Sequence, residues 1–277
     1  MAVLFLLNFF IWYVAVAENR RGLLKIAVLD IGQGDAIFIE APNGNQVLID
    51  GGPGEKILNR LTEQMPFYDR SIDLLILTHP HVDHLDGLLA VLKRYQIGAV
   101  IESEVEYPLA AYVEWRRLLK EQGVKVILAR AGETVRLDNH INLEILAPIE
   151  NFISASPTNV HDSMVVSRLT YASTTALLTG DMEMGLEREL MASGVNLKSD
   201  LLKVGHHGSK TSTTEAFLRA VAPQFAVISV GAHNRYGHPA QATIDTLTAA
   251  GVKIFRTDEA GTLIFASDGQ HLTANHR

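Results

Sequence analysis

A chain of 277 residues with 47% apolar and 20% charged side chains has enough apolar matter for a deep core, which excludes disorder along most of its length. The formal net charge of −7 excludes a global attraction to polyanions, so any nucleic-acid binding must come from a local basic strip or from bound metal ions. Cysteine is absent, which leaves only His and carboxylates to hold a metal.

Residues 1–17, MAVLFLLNFFIWYVAVA, carry Asn8 as their polar side chain and no charge. A bilayer needs about twenty apolar residues, so this shorter run reads as a tilted or truncated transmembrane anchor or as a signal-peptide core. Ala15 and Ala17 supply a small-x-small cleavage pattern for the second reading. Arg20, Arg21 and Lys25 follow the run and no basic residue precedes it, which by the positive-inside rule puts the remainder, residues 18–277, in the cytoplasm. That rule weakens if the run is the last span of a larger membrane protein.

Beyond Arg21 the pattern predicts a β-meander over 24–31, 35–40 and 46–50, with Gly32, Gly34 and the Asn43-Gly44 turn between the strands. A helix is expected over 55–65, then a buried strand over 72–77 that ends at His79, and a helix over 85–94. Strand 98–102, helix 109–122 and strands 124–129 and 141–147 continue in βαβ rhythm. After a long loop at 149–162, 163–171 and 174–180 form a hairpin through Ala172-Ser173, followed by a helix over 182–191 and a strand over 200–205. Strand 225–230, a helix starting near Pro239, and strands 253–257 and 262–266 close the chain. Two halves that each run from hairpin to βα units predict an α/β protein with two sheets face to face and helices outside, an αββα sandwich.

The strongest chemical signal is THPHVDHLDG at 78–87, where a hydrophobic strand gives way to a helix. His79 and His81, two residues apart, can converge on one ion, while Asp83 and His84 point from the next turn toward a second. Imidazole with carboxylate suits zinc or manganese, and paired ions hold both the attacking and the leaving oxygen of a displacement. One loop cannot complete two coordination spheres. Further ligands are available in His161 of the long loop, in Asp181 at the end of ALLTGD, and in His206 and His207 of KVGHHGSK. Asp181 is placed to bridge the ions, although it reads equally as a helix N-cap. Asp50 in VLIDGG is a carboxylate placed to receive an N–H from a ligating His and fix its tautomer, or else a turn residue.

The motifs LDIGQGDAIFIE, VLIDGG, THPHVDHLDG, LLTGD, LKVGHHGSKTSTT and ISVGAHNRYGHP stand in the same order as in the metallo-β-lactamase-fold domain of ComEC-type competence proteins, a DNA-uptake channel family that residues 24–266 resemble. The resemblance implies an αββα metallo-β-lactamase sandwich and an N-terminal run similar to a last transmembrane helix, with the domain outside the cytoplasm. It implies a phosphodiesterase or nuclease that degrades the strand not imported, with DNA, membrane and channel as partners. Its metal motif falls on His79, His81, Asp83 and His84, its bridging aspartate on Asp181, and its later histidine on the pair 206–207. Many members carry Asp where this chain has His81, and an Asn-rich stretch where it has His161-Asp162. The family's multi-span channel portion is not among the 277 residues, which read either as an excised or split domain or as a stand-alone anchored hydrolase.

The expected division puts His79, His81 and His161 around one ion, Asp83, His84 and either His206 or His207 around the other, and Asp181 between them. The remaining histidine of the pair, with Ser209 and Lys210, is placed to hold a substrate phosphate, though Lys210 reads equally as a surface lysine. The loop GAHNRYGHP offers His233, and Asn234 as a substrate contact; Tyr236 is expected to stack on a base, and His238 either contacts substrate and protonates a leaving group or serves the helix start before Pro239. Arg168, Lys203, Lys210 and Arg235 are expected to make an electropositive groove for single-stranded DNA. The competing readings are a hydrolase of a small phosphodiester, ester or lactone, and a non-catalytic module of an uptake channel.

Overall fold

β-Branched runs bounded by Gly and Asn turns supply the strands of two sheets, in a computed structural model that describes residues 4–10, 12, 22–103, 105–150 and 159–275. In chain order the elements are β1 (Leu24–Val28), β2 (Ile37–Glu40), β3 (Gln46–Ile49), α1 (Lys56–Gln64), β4 (Ser71–Ile76), α2 (Val82–Leu92), β5 (Gln96–Glu102), α3 (Ala110–Gln122), β6 (Lys125–Leu128), β7 (Thr134–Asp138) and β8 (Ile141–Ala147). A 3-10 turn (Val160–Ser163) precedes β9 (Val166–Tyr171), β10 (Thr174–Leu178), α4 (Met184–Ser193) and β11 (Leu201–Lys203). A second 3-10 turn (Gly205–Gly208) leads to α5 (Glu215–Val221), β12 (Phe225–Ile228), α6 (Gln241–Ala249), β13 (Lys253–Arg256), α7 (Thr257–Ala260), β14 (Leu263–Ser267) and β15 (Leu272–Asn275).

The first sheet runs β15-β14-β1-β2-β3-β4-β5-β6 and the second β13-β12-β11-β10-β9-β8-β7. Each is antiparallel on one side and parallel on the other, the parallel parts being β3 to β6 and β10 to β13. Strand alternation explains the layering. Ile37 and Ile39 enter the core between the sheets while Phe38 faces the outer layer under α1 to α3, and Val47, Leu48 and Ile49 repeat the pattern. A third cluster seals the second sheet under α4 to α6 through Leu186, Leu190, Phe217 and Leu247. Burying each such side chain contributes about 1.5–3 kcal/mol.

The αββα expectation therefore holds, with four departures. Helix α2 begins at Val82 rather than 85, which puts Asp83 and His84 in its first turn. β7 pairs antiparallel with β8 in the second sheet, so that stretch is a hairpin and not part of the first half's βαβ run. β14 and β15 return to the first sheet beside β1, so the sheets do not correspond to halves of the chain. Helix α4 starts at Met184 with Glu183 at its N-cap, which frees Asp181 from the capping role.

Of the apolar N-terminal run, residues 4–10 and 12 are helical with Leu4, Phe5, Phe9 and Trp12 exposed. The rest of the expected anchor lies outside the described residues, and among those described no helix is long and apolar enough to cross a membrane. Most of the long loop, 151–158, also lies outside them.

Candidate metal centre

The carboxyl ends of the parallel strands meet along one edge, the place where α/β sheets usually bind ligands. β3 delivers Asp50, β4 delivers Thr78 and His79, β10 leads to Asp181, and β11 leads to His206 and His207. Asp50 takes a left-handed backbone (φ 58°) that aims its carboxylate back under the edge. The two glycines after it let α2 dock directly on the turn: Gly51 N donates to the His84 carbonyl at 2.7 Å and Gly87 N to the Gly52 carbonyl at 2.8 Å. A Cβ on Gly87 would lie 1.9 Å from the Gly51 carbonyl oxygen, so only glycine allows this approach.

The docked turn fixes tautomers. Asp50 Oδ1 accepts from Thr78 N at 2.8 Å, and Oδ2 accepts from Thr78 Oγ1 at 2.6 Å and from His84 Nδ1 at 2.7 Å. With its own hydrogen given to Asp50, Thr78 Oγ1 accepts from His79 Nδ1 at 3.2 Å. His207 Nδ1 donates to the Ser229 carbonyl at 2.9 Å. All three rings thus turn Nε2 inward, toward Asp181 Oδ2, at 4.0 Å for His79, 3.2 Å for His84 and 3.4 Å for His207. Asp83 Oδ2 lies 3.4 Å from His207 Nε2.

Among the described residues, these inward-facing atoms have carboxylate oxygens nearby but few well-formed hydrogen bonds. The Nε2 atoms of His79, His84 and His207, both ring nitrogens of His161, and Asp181 Oδ1 are buried without a hydrogen-bond partner. Leaving so many polar atoms unsatisfied would cost about 1–3 kcal/mol each, and neutral imidazoles with carboxylates are the donor set that divalent zinc or manganese takes. The residues fit metal ions. His79, His81 and His161 place ligand atoms within 4.8 Å of one another, as do Asp83, His84, Asp181 and His207, and Asp181 also groups with His161 and His206.

Electrostatics separate the two groups. Burial drives His79 well below the usual histidine range, with the neighbouring His84 adding to it, and burial with His161 and His84 pushes His81 down to about 4. Burial lowers His161 as well. Burial would lower His84 and His207 too, but Asp181 outweighs it, helped by Asp50 at His84 and by Asp35 and Asp83 at His207, and both are held well above that range.

His206 and His207 both adopt left-handed backbone (φ 46° and 53°), which sends their side chains apart. His207 is buried among Asp35, Asp83 and Asp181, whereas His206 stands at the mouth. His206 Nδ1 is 3.2 Å from Glu183 Oε1, which also accepts from Thr211 Oγ1 at 2.8 Å, and its Nε2 is 3.8 Å from Asp181 Oδ2. Its ring is 5.8 Å from that of His238, which stacks on Tyr236 at 5.8 Å and 15°. Lys210 and Arg235 are exposed on the adjoining loops, Arg235 over the Tyr236 ring at 5.1 Å.

Several expected contacts go elsewhere. Asn234 spends its amide within its own loop, donating to the Gly231 and His238 carbonyls and accepting from Tyr236 N and His238 N. Ser209 is buried with its hydroxyl 2.9 Å from Thr211 Oγ1. The groove prediction is corrected at two positions: Arg168 donates to the Lys198 carbonyl through Nε and Nη2, and Lys203 is wholly buried against Asp35. Sequence reasoning missed Asp35, Thr78 and Glu183. Asp35 alone had a signal, as a carboxylate between Gly34 and an otherwise apolar strand.

Residues 29–233 match the family model described as the metallo-beta-lactamase superfamily. The chain is 32% identical to ComE operon protein 3 of Bacillus subtilis over 86% of its own length and 32% of that protein's. It is 31% identical to competence protein ComA of Neisseria gonorrhoeae over 91% of its length and 33% of that protein's. It thus spans about a third of the length of these curated relatives. Among solved structures, the metallo-beta-lactamase fold protein YhfI of Bacillus subtilis superposes with a TM-score of 0.55 at 12% identity, covering 86% of this chain and 98% of that one. The diiron β-hydroxylase CmlA of Streptomyces venezuelae gives 0.55 at 15% identity over 84% of this chain and 52% of that one. At such identities the likeness is one of fold alone.

Proposed function

This chain belongs to the metallo-beta-lactamase superfamily of metal-dependent hydrolases, and on that premise we propose that it is a dinuclear phosphodiester hydrolase that acts on DNA in competence-type uptake. The observation that carries the reading is the convergence of three buried imidazole Nε2 atoms on one buried carboxylate, Asp181. His79, His81 and His161 would hold one ion, Asp83, His84 and His207 the other, with Asp181 common to both. Such a pair supplies a bound water of lowered pKa and offsets negative charge gathering on the substrate.

The chain's own residues do the rest. Asp50 and Thr78 keep His84 and His79 in the tautomers that present Nε2. His206, oriented by Glu183, faces the mouth as a contact for a phosphate oxygen. His238 stands behind it, and Tyr236 offers a face on which a base stacks, with Lys210 and Arg235 as the phosphate-seeking cations. Likeness to proteins named for competence supports DNA as the substrate. Residues 1–17 would tether the hydrolase unit, 18–277, to the membrane beside an uptake channel.

A second reading, a hydrolase of a small phosphodiester or an ester, draws on the commitment of Arg168 and Lys203 elsewhere, which leaves a narrower positive surface than a polynucleotide groove needs. Plasmid and single-stranded DNA should be compared with bis-nitrophenyl phosphate and a lactone, using the purified chain with Zn²⁺ or Mn²⁺. Metal-dependent DNA cleavage supports the first reading. Turnover of the small substrates without DNA cleavage supports the second, and inactivity on all of them despite bound metal supports a non-catalytic module.

A further inference from the structure

Lys203 ends β11 in the second sheet and Asp35 precedes β2 in the first, yet Lys203 Nζ lies 2.7 Å from Asp35 Oδ2 with side-chain exposures of 0% and 2%. A buried charge costs several kcal/mol unless it is paired and its remaining hydrogens are satisfied. Here they are: Nζ donates to the Val204 carbonyl at 2.9 Å and to the Gly180 carbonyl at 3.4 Å. Gly180 immediately precedes Asp181, so the ammonium grips the backbone that presents that carboxylate. On the other side, Asp35 Oδ1 lies 3.4 Å from His207 Nδ1, and Asp35 N donates to the Asp83 carbonyl at 3.2 Å.

One cross-sheet ion pair thus touches, from behind, the backbone that presents Asp181, the backbone of Asp83 and the outer nitrogen of His207, with Lys203 Nζ directed to Asp35 and to the Gly180 and Val204 carbonyls. Asp83 and His84 lie in α2, which follows β4 of the first sheet, and Asp181 and His207 in the turns after β10 and β11 of the second. Their convergence depends on how the two sheets are registered at this edge.

We infer that Lys203 and Asp35 are positioning residues that set this register and so assemble the second ion's shell, an inference resting on the reading that Asp83, His84, Asp181 and His207 hold that ion. Breaking one half of a buried pair strands the other charge, whereas replacing both halves with apolar groups is tolerated far better. The paired variant therefore separates positioning from simple stability.

The test compares the full chain with Asp35→Asn and with the double variant Asp35→Leu/Lys203→Met. Zn²⁺ binding is followed by chelator competition and metal analysis, and the metal-free fold by circular dichroism and thermal melting. Wild type binding fewer than two ions would refute the underlying site reading and leave this inference without its object. With two ions in wild type, a folded variant should retain the first ion and bind the second about 10–100-fold more weakly. Wild-type affinity for the second ion in either folded variant would overturn the inference. So would loss of both ions together, or loss of the fold in both variants, since the pair would then serve the whole fold.

Discussion

Asp50 Oδ2 lies 2.7 Å from His84 Nδ1, across a turn in which the same carboxylate also accepts two hydrogen bonds from Thr78. One buried side chain thereby sets the tautomer of His84 and, through Thr78, that of His79. Asp50→Asn keeps the shape but presents an amide that can donate as well as accept, so His84 is no longer held with Nε2 free. Metal affinity is expected to fall about 10–100-fold with the fold intact, measured by chelator competition. Unchanged affinity would reduce Asp50 to a turn residue.

The contact between Gly87 and the Gly51 carbonyl gives a stability expectation of unusual sign. In an ordinary helix interior Gly→Ala stabilises by about 0.5–1 kcal/mol. At position 87 the new methyl would overlap a backbone carbonyl, so Gly87→Ala should instead destabilise by about 1–3 kcal/mol and weaken metal binding by lifting α2 off the turn. Urea denaturation of the metal-free chain checks the sign.

Proton competition should distinguish the two ions. His84 and His207 are held above the ordinary histidine range, so in the metal-free protein they carry protons at neutral pH that an ion must displace. Affinity for the second ion should therefore rise with pH, about tenfold per pH unit for each proton displaced. His79, His81 and His161 are shifted downward instead, so affinity for the first ion should depend less steeply on pH near neutrality. Calorimetric titration in buffers of different ionisation enthalpy reads the released protons directly, and equal pH slopes for both ions would contradict the assignment.

The basic side chains divide into those that can meet a polyanion and those that cannot. Lys210→Ala and Arg235→Ala should each weaken single-stranded DNA binding and lower its salt slope by about one, with bound metal unchanged. Arg168→Ala should leave that slope unaltered because its guanidinium is committed to the Lys198 carbonyl. Filter binding over a salt series measures this.

What could be read from the chain depended on the range of each signal. The cluster at 79–84 was legible because all its members lie within one strand-to-helix turn, and strand alternation made the layers legible. Alternation does not say which sheet a strand joins, so the return of β14 and β15 beside β1 was hidden. The choice between His206 and His207 rests on two successive left-handed residues, which residue identity does not announce. Lys203 read as a groove cation because nothing local reveals a partner 168 positions away, and only the packing of the sheets brings Asp35 to it.

Metal content tests the dinuclear centre most directly, measured by elemental analysis of the purified chain alongside His79→Ala and Asp83→Ala, with circular dichroism as the check on folding. About two ions per wild-type chain are expected, given one ligand group of His79, His81 and His161 beside a second of Asp83, His84, Asp181 and His207, with fewer ions and lost hydrolysis in both variants and little change in secondary structure. A folded wild-type chain that takes up no Zn²⁺ or Mn²⁺, or variants that keep full metal content and activity, would contradict it.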